Sequence, residues 1–341
     1  MNPITAPGWH YGTVHAFPTS PAAARSTGTA PAAAPGRRPS GRRLLAVGAA
    51  LCVTAGTLTA CSTEPPRPDE SLESLVHQLD ALDGTPAAGG TAIFADQARA
   101  VSAEIVRQCG TDRDGNPPQD CGAPAPGEHT EAPSVDEVRT HMRDLIDGAD
   151  TGDDAAPDED GQRDRAVLLT GLHAALATLD DRSAGGSAID QDLIDAGYGG
   201  DPAVSAQTAE ALAPVTDLVD QAVFLSGVVL PVAGADGATV TTVGDRMRTV
   251  RDAVAPASGV AAEAGYRMPE GVSAPTDAAS AATVLLEAVH AVTVSLRRAV
   301  DDVSADDRGL TAVLCAVAAR SEAALEDAVG DDPLDVSIRG E

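Results

Sequence analysis

The chain has 341 residues and a formal net charge of −28, with 43% hydrophobic but only 2% aromatic residues. Sites that stack bases, sugars or quaternary amines on aromatic rings are therefore not expected. Because a chain this acidic repels nucleic acid, we also expect no DNA or RNA partner. The chain contains no lysine, which excludes Walker A phosphate loops, pyridoxal phosphate Schiff bases and Ser-x-x-Lys acyl transfer.

Residues 1–60 have the organisation of a lipoprotein leader. They contain five arginines and no acidic residue, and four of the arginines lie at 37–43, just before the apolar run Leu44–Thr57. Leu58–Cys61 (LTAC) then matches the lipobox of bacterial lipoproteins. A positive start stays in the cytoplasm while the apolar run enters the bilayer. The pattern predicts a leader and lipoprotein signal peptide that is cleaved before Cys61.

Lipid on the Cys61 thiol places the protein on the extracytoplasmic face of the cell membrane. In lipoproteins resembling this one the thiol receives diacylglycerol, and two acyl chains give stable attachment because each buried CH2 contributes ~0.8 kcal/mol. We therefore expect the membrane to be contacted through a lipid anchor and other envelope proteins to be candidate partners. The alternative is an uncleaved transmembrane helix, but Leu44–Thr57 is shorter than the ~20 residues that a span needs.

The remaining cysteines follow from that compartment. Cys109 and Cys121 flank a turn-rich loop, and outside the membrane two such cysteines are expected to form a disulfide. A loop of this length would be stabilised by ~2–3 kcal/mol. Cys315 lies in an apolar stretch and is predicted to be a buried free thiol.

After a tether at 61–68, apolar residues recur at helical spacing and no stretch alternates as a strand does. We therefore predict an all-α fold with an N-terminal helical region at 69–183, an acidic disordered loop at 150–160 within it, and a frayed tail at 331–341. Ser134 is predicted to cap the third helix. Four helices of the N-terminal region are defined by the apolar positions Leu72, Leu75, Leu79 and Leu82; Phe94, Ala98, Val101 and Ile105; Val135, Val138, Met142 and Leu145; and Leu168, Leu172, Leu176 and Leu179.

A helical bundle is predicted at 202–330. Asp201 and Pro202 have the pattern of a helix start, Pro214 is expected to interrupt that helix, and the apolar segment 215–232 is predicted to be a buried central helix. Three amphipathic helices follow, defined by Val240, Val243, Met247, Val250 and Val254; Leu285, Val289, Val292, Leu296, Ala299 and Val303; and Leu310, Leu314, Val317 and Leu325.

Within this bundle, Gly265–Pro269, Pro275–Ala281 and Leu285–Glu287 resemble a known family. They look like the ferritin-like domain of unknown function found in actinobacterial lipoproteins. Asp220–Phe224 falls where that family tends to have Glu-His, small residues and an aromatic. The resemblance covers 205–328. It implies that the C-terminal half is a ferritin-like four-helix bundle, that the N-terminal half is additional helices, and that no activity is established.

The sequence argues against a metal pair in this bundle. Ferritin-like carboxylate enzymes use two Glu-x-x-His pairs and two further Glu, whereas the bundle has one such pair, Glu287 and His290. At ~100° per residue this pair lies away from the apolar stripe that begins at Leu285, and Met247 stands where the preceding helix would need a histidine. We therefore predict a solvated face for the pair, no metal, no cofactor and no catalytic residue.

These observations favour a non-enzymatic, membrane-anchored scaffold or interaction module of unknown biochemical activity. The alternative is a cation- or small-ligand-binding lipoprotein derived from a ferritin-like metalloprotein, including a degenerate oxidoreductase. That alternative would use acidic groups near the apolar 215–232 segment, such as Asp217, Asp220 and Asp245.

Overall fold

The computed structural model contains eight α-helices and no strand among the residues that it describes, so the all-α prediction is confirmed. The leader, most of the tether and most of the acidic loop lie outside the described residues. The described residues all belong to the compact unit Cys61–Glu341, and they are 68–85, 91–110, 114, 116–118, 121, 132–148, 159–180, 204–258, 266, 268 and 273–341.

Four helices form the N-terminal region: α1 Glu70–Leu82, α2 Ile93–Cys109, α3 Val135–Ile146 and α4 Glu159–Ala177. The predicted apolar positions of α1 and α2 are all buried, because a spacing of three and four residues puts them on one helix face. Ser134 caps α3 as predicted and forms a capping box with Glu137. The helices share one hydrophobic core.

Four longer helices form the C-terminal half: α5 Ala206–Val229, α6 Gly237–Ser258, α7 Ala278–Asp302 and α8 Arg308–Val329. The helix α5 packs on α6 and α7, and α8 packs on the same two helices, so the four enclose a second core. On its other side α8 packs on α3 and α4. The helix α8 therefore lies between the two cores.

The central buried helix is α8, so the prediction that 215–232 is the central helix is wrong. Every residue from Gly309 to Leu325 of α8 is buried, whereas α5 has exposed positions such as Asp217. The segment 215–232 is richer in apolar residues, but one face of it meets no other helix. In α8 the many alanines let neighbouring helices approach from all sides, and its charged side chains are buried with them.

The course of α5 differs from the prediction. The helix begins at Ala206, where the Ser205 side chain accepts the Thr208 amide hydrogen, while the predicted start at Asp201 and Pro202 lies outside the described residues. It then runs through Pro214 without interruption. Proline removes a backbone donor from the helix, but Pro214 is exposed, so water can bond the carbonyl group that is left unpaired.

Residues 331–341, here named the C-terminal segment, pack against the helices. Arg339 is fully buried and Ile338 packs beside the N-terminal core. The Arg339 amide donates a hydrogen bond of 3.1 Å to the Gly171 carbonyl of α4. The prediction of a frayed tail is therefore wrong, because a polar composition does not reveal buried long-range partners.

Candidate functional site

Arg339 occupies a pocket on α7 and α8. Its Nη1 atom lies 2.7 Å from Glu326 Oε1 and 3.4 Å from Glu322 Oε1, and its Nη2 group donates to the Pro333 carbonyl of its own segment. The two glutamates are one turn apart on α8, so they share a face. His290 of α7 donates from Nδ1 to Glu322 Oε1 at 2.9 Å. We name His290, Glu322 and Glu326 the acidic pocket.

The charges in the acidic pocket stabilise one another. Burial alone would raise the pKa of the Glu322 carboxyl, but the hydrogen bond from His290 and the positive charge of Arg339 lower that pKa below its usual value. The hydrogen bond to Glu322 in turn raises the pKa of His290, against the effect of partial burial. The Glu322 side chain is 6% exposed and that of His290 46%. The His290 imidazole therefore lies between the buried Glu322 carboxyl and the solvent.

Part of the hydrogen-bonding capacity of the acidic pocket is unused. Glu322 Oε2, Glu326 Oε2 and Arg339 Nε are buried and have no hydrogen-bond partner among the described residues. One carboxylate can accept two parallel N–H bonds from a guanidinium, whereas Arg339 meets both carboxylates with a single nitrogen. The pocket can accept more hydrogen bonds than its present occupant donates.

Hydrogen bonds hold the segment backbone on both sides of Arg339. Gln97 of α2 donates to the Ser337 carbonyl at 3.0 Å, and Arg297 of α7 donates to the Gly340 carbonyl at 3.1 Å. Gly340 has φ +77°, and a Cβ there would lie 3.1 Å from a carbonyl oxygen of α7. The backbone conformation and the close approach both favour glycine at this position.

The three predictions about the cysteines have different outcomes. Cys61, the predicted lipidation site, lies outside the described residues. The sulfur atoms of Cys109 and Cys121 are 2.16 Å apart, so the predicted pair is at disulfide distance. Cys315 is a buried free thiol, as predicted. Burial raises the pKa of this thiol to about 12, which argues against a reactive thiolate.

Glu287 and His290 do not act as a pair. Glu287 and His290 are both exposed, as predicted, and His290 in addition donates a hydrogen bond to the buried Glu322. The four-residue spacing of Glu322 and Glu326 was the available signal for a shared acidic face. Within the described part of the chain, no three His, Cys, Asp or Glu side chains are grouped so that they could hold a metal ion.

Asp217, Asp220 and Asp245 do not form a ligand set either. Asp217 is exposed, and Asp245 forms an ion pair of 2.5 Å with an arginine of its own helix. Asp220 is buried and accepts a 3.0 Å hydrogen bond from the Tyr266 hydroxyl. The Tyr266 ring also packs on Phe224, with ring centroids 6.2 Å apart. Residues 220–224 of α5 and Tyr266 of the connection after α6 therefore contact each other.

A second acidic feature is a shallow groove of about 500 Å³ between α1 and α3. Its lining includes Asp136, Glu137 and Asp144. His141 Nδ1 lies 3.0 Å from Gln78 Oε1 at the same groove, so this histidine already has a partner. The groove is a solvated surface between two helices, and nothing in it points to a ligand.

His173 of α4 is fully buried among the N-terminal helices. Burial, together with the positive charges of Arg139 and Arg143 on α3, lowers the pKa of its imidazole to about 3. Neither ring nitrogen has a hydrogen-bond partner in the described part of the chain. His173 is therefore a neutral core residue.

Comparison of the chain with protein-family models, with curated proteins and with solved structures finds no match. The most complete constellation among the described residues is the acidic pocket with Arg339 inside it.

Proposed function

We propose that this chain is a lipid-anchored protein of the extracytoplasmic membrane face and that its helical unit is a non-enzymatic interaction module. The observation that carries the location is the lipobox Leu58–Cys61, directly after an arginine cluster and an apolar run. The Cys109–Cys121 pair supports this location, because disulfides persist in oxidising compartments.

Lipid on Cys61 is the proposed membrane attachment, although two helices in the described residues could cross a membrane by length and composition alone. These are α5 with its following turn, Ala206–Val232, and α7. Both contribute buried faces to the core that they share with α6 and α8. They are therefore better explained as core helices of the extracytoplasmic unit.

The helices α5–α8 are proposed to form a ferritin-like bundle. Short connections, 230–236 and 303–307, join α5 to α6 and α7 to α8, whereas the longer connection 259–277 joins the two pairs. One long crossover between two helical hairpins is typical of ferritin-like folds. The contacts of α5 and α8 with both α6 and α7 are compatible with that arrangement.

The buried charges of the helical unit pair with one another across its elements. Arg165 of α4 binds Asp69 at 2.5 Å, and Arg339 binds Glu322 and Glu326, so these charges connect separate elements. A cation-binding role is the alternative, and it would use the unpartnered carboxylate oxygens of the acidic pocket, although no group of three metal ligands is found among the described residues. Elemental analysis of the purified full chain separates the two. Stoichiometric iron or manganese would overturn the non-enzymatic proposal.

Lipid attachment is tested with the variant Cys61→Ser in cells fed labelled palmitate. The wild-type chain should incorporate label, partition with membranes and run at the size of a cleaved protein. The variant should lose the label and keep its leader. The matched control is Cys52→Ser, which removes a cysteine of the apolar run and should leave labelling intact. Palmitate label retained by Cys61→Ser would contradict the proposal.

A further inference from the structure

The acidic pocket has the features of a recognition site for an arginine side chain. Two carboxylates one turn apart on α8 face a fully buried guanidinium, and His290 orients one of them from α7. Planar guanidinium groups match paired carboxylates, because their N–H groups form a fixed fork. In the structure, the acidic pocket is occupied by a residue of the chain itself, Arg339.

The present occupant does not satisfy the pocket. Glu322 Oε2 is buried in a side chain only 6% exposed and has no hydrogen-bond partner among the described residues, although the Thr293 hydroxyl of α7 is near enough to the Glu322 carboxyl to help lower its pKa. Glu326 Oε2 likewise has no described hydrogen-bond partner, while Arg339 Nε donates to no described residue. Buried unpaired polar atoms are costly. An arginine that enters from another direction could place its fork on these free oxygens.

The C-terminal segment has the properties of a ligand that can leave. Four of its attachments to the helices are the Arg339 side chain, the Arg339 amide on Gly171, and the carbonyls of Ser337 and Gly340. Its residues between Pro333 and Arg339 are only partly buried or exposed. Segments with few buried apolar contacts open at lower free energy than the core.

We propose that the acidic pocket and the backbone-binding groups beside it form a binding site for an arginine-bearing peptide segment, and that the C-terminal segment occupies this site as an intramolecular competitor. The proposal rests on the proposed interaction role and names the chemistry of its partner. In the released state the pocket binds Arg followed by Gly on the partner peptide.

The preference for Arg-Gly follows from the groups around the segment. Gln97 and Arg297 donate to the carbonyls two residues before and one residue after the arginine, and the Gly171 carbonyl accepts the arginine amide. These contacts are made by the segment backbone, which bends at residues 337–339, and not by its side chains. The close approach of Gly340 to α7 leaves no room for a Cβ without adjustment.

The test uses the purified full chain in mild detergent and a fluorescent peptide of residues 331–341. In the variant Arg339→Met, which removes the guanidinium that the chain itself places in the pocket, fluorescence anisotropy should show saturable peptide binding. The wild-type chain should bind the peptide at least tenfold more weakly, because its own segment competes. The same peptide carrying R339K should lose at least tenfold in affinity for the variant.

The matched control combines Arg339→Met with Glu322→Gln and Glu326→Gln. These two substitutions keep the shape of the side chains and remove both negative charges, so this variant should not bind the peptide. Absence of peptide binding to a folded Arg339→Met variant overturns the proposal. If that variant does not fold, hydrogen exchange of the wild-type chain tests whether the C-terminal segment opens locally. The Arg339 amide should exchange through local opening, and exchange only on global unfolding overturns the proposal. The detergent assay does not depend on Cys61, so its failure is distinct from a failure of lipid attachment.

Discussion

Gly171 and Ile338 are packed so closely that a Cβ atom on residue 171 would lie 2.7 Å from Ile338 Cγ2. The same Cβ would lie 2.9 Å from Arg297 Nε and 3.0 Å from the Arg339 carbonyl oxygen. A residue of α4 therefore fixes how closely the C-terminal segment approaches the helices. Any side chain at this position must displace the segment or Arg297.

The variant Gly171→Ala should be destabilised. Overpacking of a close contact costs ~1–3 kcal/mol, which exceeds the ~1 kcal/mol that alanine contributes to a helix interior relative to glycine. We expect the free energy of unfolding to fall by ~1 kcal/mol, measured from urea unfolding. The control is Gly227→Ala in α5, where a Cβ meets nothing within 4 Å. It should be stabilised, and equal shifts in the same direction would refute the close packing of residue 171.

The helical stripes could be predicted from the sequence because they depend on local periodicity. The positions predicted for α6 and α7 are all buried. Burial that depends on several elements at once could not be predicted in this way. The helix α8 contains Arg320 and Glu322 inside its buried stretch. Its sequence therefore has the pattern of an amphipathic helix, although neighbouring parts of the chain cover every face of it in the structure.

The acidic pocket could not be predicted from the sequence for a related reason. Its members come from α7, from α8 and from a segment whose composition is typical of a frayed end. Arg246, Arg320 and Arg339 are the largest fully buried side chains, yet arginine is a residue that sequence reasoning assigns to the surface. The buried arginines become visible only when the partners that fold beside them are known.

His173 should make the protein less stable in acid. Its folded pKa is about 3 and its ordinary value is 6.5, so between these pH values the unfolded chain binds a proton that the folded chain does not. Stability is therefore lost as the pH falls through this window, by roughly 1.4 kcal/mol per pH unit for one such group. The variant His173→Leu removes this dependence. Urea unfolding at pH 6 and at pH 4.5 should show that the free energy of unfolding falls more for the wild type than for His173→Leu. An equal fall for the two proteins would contradict the lowered pKa of His173.

Asp69 has two roles that one substitution can separate. Its Oδ1 atom accepts amide hydrogens at the start of α1, and its Oδ2 atom binds the buried Arg165 at 2.5 Å. Asparagine caps a helix about as well as aspartate, so Asp69→Asn keeps the cap and removes the countercharge. We expect a loss of about 3 kcal/mol, since Arg165 is left without its partner. Thermal unfolding measures this loss. The control, Asp83→Asn, changes an exposed residue at the other end of α1 and should stay within ~0.5 kcal/mol of the wild type.

The Cys109–Cys121 pair should stabilise the oxidised protein by about 3 kcal/mol, because a cross-link restricts the unfolded chain. The double variant Cys109→Ser/Cys121→Ser should lose that amount, and reducing agent should destabilise the wild type but not the double variant. Cys315 provides an internal control, because its buried thiol, whose pKa is about 12, should resist alkylation in the folded protein and react after unfolding. Mass spectrometry of the alkylated peptides distinguishes the three cysteines. Alkylation of Cys109 in the unreduced native protein would mean that the pair is open and that the compartment argument loses its structural support.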